Sequence, residues 1–277
     1  MVELSVTVDD LPATGPQPRG TTRRAIGDQI IRALRRHAVP GPCGFVNGHQ
    51  VRDDPLHEPV LRAWRDAGLP FGNHTFSHVD LARVSGDDFI ADVERNEAIL
   101  AALAAANGHR YFRYPYLHEG ETREKREAVR RWLAAAGYAI VRVTVNPEDW
   151  RWNEAYVRCA EAGDRAGIAR LRERFVEAAL AHLAWSEALS ARLFERPVKH
   201  ILLLHIGAFT GLVLDDLLGA YRAAGVRFVG LDIALGDPAY AVNPERGWEN
   251  EERSFLRHVA DARSVDVPPL PPGPPGQ

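Results

Sequence analysis

The sequence predicts an α/β fold whose parallel sheet closes as a barrel, and two observations point there. Seven apolar or β-branched runs alternate with stretches of helical periodicity, the pattern of successive β/α units. Five of those runs end in polar side chains suited to chemistry. A barrel gathers such residues from many strand ends around one mouth, whereas an open doubly wound sheet concentrates them at a switch point. One alanine-rich helical stretch, about residues 152–196, exceeds what a minimal barrel needs.

The elements follow in order. Residues 4–8 alternate with β-branched side chains as a short buried strand that Asp9-Asp10 ends, and the proline- and glycine-rich loop 11–20 should lie near that pair. Ile26, Ile30, Leu34 and Ala38 mark a helical face that stops before Pro40. Phe45 and Val46 form a second strand, running into Asn47-Gly48. Leu56, Val60 and Trp64 mark a second helix, stopped by Gly68, and a short third strand leads into the stretch from Gly72 to His78. Ser85 with Asp88 resembles a cap ahead of Phe89, Val93, Leu100 and Leu103, in a helix ended by Asn107-Gly108. Residues 110–113 are the fourth strand, interrupted by Pro115; a helix over 121–136 closes at Gly137; and 138–145 is a strongly β-branched fifth strand.

In the inserted stretch, Leu171, Phe175, Ala178, His182, Trp185 and Leu189 form one apolar stripe. It reads as a helical pair packed on the barrel, with a homodimer contact as the alternative, and His182 as a packed side chain rather than a ligand. Strands over 201–204 and 227–231 flank a helix over 212–224. Residues 1–267 therefore read as a single domain, and 268–277, mostly proline and glycine, as a flexible tail.

A chain of 277 residues with 45% hydrophobic content can bury a sizeable core. A net charge of −3 gives no electrostatic reason to expect nucleic acid or an anionic membrane as partner. Cys43 and Cys159 are too few for a disulfide framework. No apolar run approaches the roughly 20 residues that span a bilayer, and no signal peptide precedes the first strand. The chain reads as soluble, and as exported if a leader was removed ahead of Met1.

The chemistry centres on Gly72-Asn73-His74-Thr75-Phe76-Ser77-His78. Two imidazoles four residues apart meet on one face if the segment turns helically, which suits a tetrahedral divalent metal, and a third donor must come from elsewhere. Asp9-Asp10 is the obvious source. Adjacent carboxylates point to different sides, so one can bind the metal while the other takes a proton from the water that the metal activates. Arg113, ahead of a Tyr-Pro-Tyr turn, can hold a carboxylate in a two-pronged grip and keep it ionised. His205 ends an apolar strand and can give a proton to a leaving amine, with Asp149 holding it charged and Trp150 lining the pocket. His118 and Glu119 read as an exposed loop pair, with substrate contact as the alternative.

Five short segments in order carry a family resemblance: Thr7-Val8-Asp9-Asp10, His74-Thr75-Phe76-Ser77-His78, Arg113-Tyr114-Pro115-Tyr116, Asn146-Pro147-Glu148-Asp149-Trp150 and Leu203-Leu204-His205. The chain resembles the polysaccharide deacetylases of the NodB-homology type, carbohydrate esterase family 4. The resemblance implies an irregular barrel with fewer than eight repeats and removal of acetyl groups, chiefly N-acetyl, from a carbohydrate polymer or oligosaccharide. It implies Asp9 as general base, Asp10, His74 and His78 as ligands to zinc, cobalt or another divalent metal, Arg113 orienting the base, and His205 as general acid tuned by Asp149. The backbone amide of Tyr116 would help hold the oxyanion, while Trp150 and Leu203 would form the pocket for the acetyl methyl group. Asn146 stands where the family usually has aspartate, and the long insertion puts the substrate in question. Two other readings are carried: the same site acting on a non-sugar amide (a formamide, cyclic imide or ureide), and a non-catalytic carbohydrate-binding barrel.

Overall fold

The computed structural model describes residues 1–103, 110–244, 254–271 and 273. Its sheet has seven strands, all paired in parallel: β1 (Glu3–Leu11), β2 (Cys43–Val46), β3 (Phe71–Asn73), β4 (Arg110–Phe112), β5 (Tyr138–Ile140), β6 (His200–His205) and β7 (Arg227–Phe228). Their order is β5-β4-β3-β2-β1-β6, with β7 paired to the start of β1. The ladder is not continuous between β5 and β6. The chain beyond β5 reaches β6 through a single bridge, Val145 to Leu202. The architecture is thus α/β, an irregular barrel-type parallel sheet rather than a regular closed one.

Ten α-helices are described: α1 (Arg23–Arg36), α2 (His49–Asp53), α3 (Glu58–Asp66), α4 (Gly86–Leu103), α5 (Arg123–Ala135), α6 (Trp150–Glu161), α7 (Arg165–Phe194), α8 (Ala208–Ala223), α9 (Leu231–Leu235) and α10 (Phe255–Ala262). Thr22 and Thr122 cap α1 and α5 through their side chains, and Ser85 Oγ accepts from the Asp88 amide at the start of α4. The Asn107-Gly108 stop predicted for α4 lies outside the described residues. None of the described helices is long and apolar enough to cross a membrane.

Burial explains the packing. Ile26, Ile30 and Leu34 of α1 join Leu214, Leu217 and Leu218 of α8 in the core beside Val6, Val8 and Leu204. The inserted helices close on that core through Trp152 of α6 and Phe175 of α7, whose rings pack with that of Phe209 of α8 at 5.3–6.1 Å. Burying each such ring contributes about 2–3 kcal/mol. Along α7, Leu171, Phe175, His182, Trp185 and Leu189 are buried within the one chain, while Ala179 takes the buried place that Ala178 was expected to fill.

Several boundaries differ from the sequence reading. The acidic pair does not end β1. The strand continues to Leu11 through a register shift between Val8 and Leu11, with Asp10 at φ 64°, so the extra residue is absorbed as a bulge. Ala38 lies past the end of α1 at φ 44°, and Leu56 is 77% exposed in a 3₁₀ turn rather than on the buried face of α3. The β-branched run 138–145 pairs as a regular strand only over Tyr138–Ile140, because Val141 to Val145 must turn away from β4 to reach β6. Helices α2, α9 and α10 were not foreseen.

Candidate active site

The strand ends converge on a cavity of about 710 Å³ that touches Asp10, His74, His78, Trp150, Leu203 and His205. The bulge in β1 sets the two carboxylates on different partners. Asp9 is 2% exposed and faces Arg113, whose Nη1 lies 3.5 and 3.3 Å from its oxygens. The expected two-pronged grip is not formed: the other terminal nitrogen donates to Thr7 Oγ1 at 3.0 Å. Thr7 in turn donates to the Leu202 carbonyl at 2.7 Å, tying Arg113 to β6. The Arg113 guanidinium also lies over the Phe45 ring, 4.7 Å from its centroid, and Gly72 must be glycine because a Cβ there would meet that ring. Burial pushes Asp9 up to about 6 despite the opposing pull of Arg113.

Asp10 turns toward the histidines. Its Oδ1 lies 3.6 Å from His74 Nε2 and 3.4 Å from His78 Nε2, and is buried with no hydrogen-bond partner, while Oδ2 accepts from Thr14 at 3.0 Å. His74 Nδ1 donates to the Arg113 carbonyl at 2.8 Å, since a carbonyl can only accept. That bond leaves the His74 Nε2 lone pair facing Asp10. Zinc bonds of about 2.0–2.1 Å would place tetrahedral donors about 3.3 Å apart, so the donor set fits a small divalent cation. The three residues form a group whose ligand atoms all lie within 4.8 Å of one another.

The histidines do not converge by a helical turn. Thr75 has φ 61° and His78 φ 55°, left-handed conformations that fold the segment back on itself. Buried asparagines hold this turn. Asn47 Nδ2 donates to the His74 carbonyl at 2.6 Å, the Thr75 amide donates to Asn73 Oδ1 at 2.9 Å, and Asn96 Nδ2 donates to Asn73 Oδ1 at 2.9 Å and to the Val46 carbonyl at 2.7 Å. These supports were missed, although Asn47 and Asn73 stand at strand ends beside the motifs.

On the other side, His205 Nδ1 donates to Asp149 Oδ1 at 2.8 Å. Asp149 is fully buried, and its Oδ2 accepts from the His205 amide at 2.8 Å and from Thr210 Oγ1 at 2.6 Å. Burial opposes charge on His205, but the Asp149 carboxylate outweighs it and raises the imidazole to about 9. Trp150 is 54% exposed at the start of α6, and Leu203 is buried. Tyr116 sits at φ 57° with its ring 4.5 Å from that of His78. Asn146 Oδ1 accepts from the Glu148 amide at 3.1 Å, so the residue serves its own turn. Glu119 is not an exposed loop residue: it is 5% exposed and ion-paired to Arg130 and Arg142, while His118 pairs with Asp80 at 3.1 Å. His182 is buried, stands outside the three-donor group and lines the cavity. Cys43 and Cys159 are free thiols.

The fold and the site define a class: an α/β protein with a candidate hydrolytic centre at the carboxyl ends of a parallel sheet. The family model described as polysaccharide deacetylase matches residues 3–141, and the chain belongs to that family, within carbohydrate esterase family 4. A peptidoglycan-N-acetylglucosamine deacetylase of Bacillus cereus is 28% identical over 149 residues, 54% of this chain and 46% of that protein. The chain therefore spans under half the length of this curated relative. Among solved structures, the chitin deacetylase of the fungal pathogen Colletotrichum lindemuthianum has a TM-score of 0.57 at 21% identity, covering 85% of this chain and 88% of that one. A family pseudoenzyme from Bacillus anthracis scores 0.56 at 17% identity, covering 84% of this chain and 64% of that one. These structures share the fold.

Proposed function

We propose that the chain is a metal-dependent hydrolase that removes acetyl groups, chiefly N-acetyl, from an amino-sugar polymer or oligosaccharide. One observation carries the reading: the cavity that touches the Asp10-His74-His78 group is also lined by Asp9 and His205, each paired from behind, Asp9 with Arg113 and His205 with Asp149. Asp10, His74 and His78 would hold zinc, with cobalt or another divalent ion able to replace it. When bound, such an ion supplies Lewis-acid stabilisation of charge on the acyl oxygen and makes a water more acidic.

The chain's own residues do the rest. Asp9 takes the proton of the attacking water, and Arg113 favours its carboxylate form against the burial that raises its pKa. Asp149 keeps His205 protonated, so that it can donate to the departing amine nitrogen. The backbone amide of Tyr116 helps to hold the oxyanion. Trp150 and Leu203 wall the space for the acetyl methyl group.

A fold neighbour that is a pseudoenzyme means that fold alone does not decide activity. Acetate release from chito-oligosaccharide, peptidoglycan and xylan fragments, with and without chelator, tests the reading. Chelator-sensitive release on at least one supports it. No release from any of them by zinc-loaded protein rejects the carbohydrate part, and turnover of a small-amide panel in its place would favour a formamide, cyclic imide or ureide.

A further inference from the structure

The cavity has two unlike walls. The three metal donors lie in the stretch that the family model matches, whereas another part of the wall lies outside residues 3–141. His182, Trp185 and Ser186 come from α7, Ser254 and Arg257 from the start of α10, and Leu270 from the segment beyond it. We propose that this wall is a recognition subsite for a carboxylate carried by the acylated sugar, with Arg257 as the residue that reads the charge. The proposal rests on the deacetylase reading and narrows its substrate.

Charge is the first argument. The other charged groups lining the cavity already have roles: Asp9 faces Arg113, His205 pairs with Asp149, Glu148 pairs with Arg151 at 2.7 Å, and Asp10 is one of the three metal donors. Arg257 lines the same cavity, half-buried, and forms no ion pair with any described residue. A guanidinium at a partly desolvated wall offers two parallel N–H donors, the geometry that a planar carboxylate accepts.

The second argument is uncommitted polar capacity beside it. Ser254 Oγ is buried with no hydrogen-bond partner, and it makes no capping bond to α10. Buried polar atoms are usually satisfied, so an orphan at a cavity edge marks a place where a ligand can complete the bonding. The buried His182 ring likewise makes no hydrogen bond to another described residue. Trp185 spends its Nε1 proton on the Pro268 carbonyl at 3.0 Å, so it offers the cavity only its ring. One unpaired cation, two free polar groups and an aromatic surface suit a sugar with a single anionic substituent better than a neutral one. A dianionic group would call for more than one guanidinium.

Calorimetric binding to the zinc-loaded full chain tests this without relying on turnover. The probes are N-acetylmuramic acid, its neutral methylamide, and N-acetylglucosamine 6-sulfate. Wild type should bind the acid about tenfold more tightly than the amide, the scale of one charge-assisted contact. Arg257→Gln should abolish that preference and Arg257→Lys should keep part of it, with zinc content unchanged in both. Equal binding of acid and amide by wild type, or an equal loss of both in Arg257→Gln, overturns the proposal. A preference for the sulfate alone overturns the carboxylate assignment. If no acetate is released from any sugar while the Arg257-dependent preference persists, the deacetylase reading fails and the subsite stands.

Discussion

At Asp10 the backbone and the chemistry are set by the same residue: a carboxylate in left-handed conformation inside a strand, turned by the bulge away from Arg113 and onto two imidazoles. Six of the nine non-glycine residues at positive φ among those described are Asp10, Thr75, His78, Tyr116, Leu117 and Glu148, all in or beside the motifs. Such conformations cost on the order of 1–3 kcal/mol each, and the surrounding bonds must hold them. The sequence makes the donors legible because chemistry restricts residue type there. It hides the backbone hand, since nothing in His-Thr-Phe-Ser-His announces left-handed residues at both Thr75 and His78. The His205–Asp149 pair yields a prediction at this scale. Removing the carboxylate in Asp149→Asn takes away the largest force opposing burial and leaves only the more modest pull of Asp10 and Asp9, so the His205 pKa falls from about 9 and the acid form is lost at lower pH. The alkaline limb of the acetate-release profile should therefore move toward acid by at least about one unit, and His205→Ala should lower kcat about 100-fold or more.

Elements that pack by simple periodicity were readable, and the shortest ones were not. Helices α1, α4, α5 and α8 announce themselves by apolar residues three and four apart. Helix α10 carries the same signal in Phe255, Leu256, Val259 and Ala260 after Ser254, short enough to pass unnoticed. The short strands β3 and β4 depend on neighbours on both sides, and β5 on β4 alone, rather than on their own residues. Asn96 of α4 binds β2 and β3 together from inside the core. Its replacement in Asn96→Ala should cost about 1–3 kcal/mol by leaving buried partners unpaired, measured by urea denaturation. Asp237 ties the turn that it caps to the connection between α7 and β6, accepting from Arg196, the Lys199 amide and the Ala239 amide. Burial works against its charge, but these bonds prevail and hold its carboxyl down at about 2. A carboxyl depressed in the folded state stabilises fully above its unfolded pKa near 4, and that stability is lost as pH falls toward 2. Asp237→Asn should accordingly remove about 2 kcal/mol at neutral pH and flatten the acid limb of the stability curve between about pH 4 and 2.

Over the whole molecule the family fold was legible because five motifs fall in order on strand ends, and an ordered set restricts topology more than any one of them does. The irregular closure was not, because it rests on one bridge from Val145 to Leu202 rather than on a strand pattern. The same connection brings Asp149 against His205, so fold and site are closed together. Binding at the three-donor group should also be felt globally: zinc at about 100 times its Kd should stabilise the fold by about 2.7 kcal/mol and raise Tm, an effect absent in Asp10→Ala. The most direct test of the central claim is a zinc titration of chelator-treated protein, with acetate release from an N-acetylated oligosaccharide followed throughout. A single equivalent should restore release in wild type and none should be restored in Asp10→Ala or His78→Ala. Full release from chelated protein, or equal restoration in those variants, would contradict a centre built on Asp10, His74 and His78.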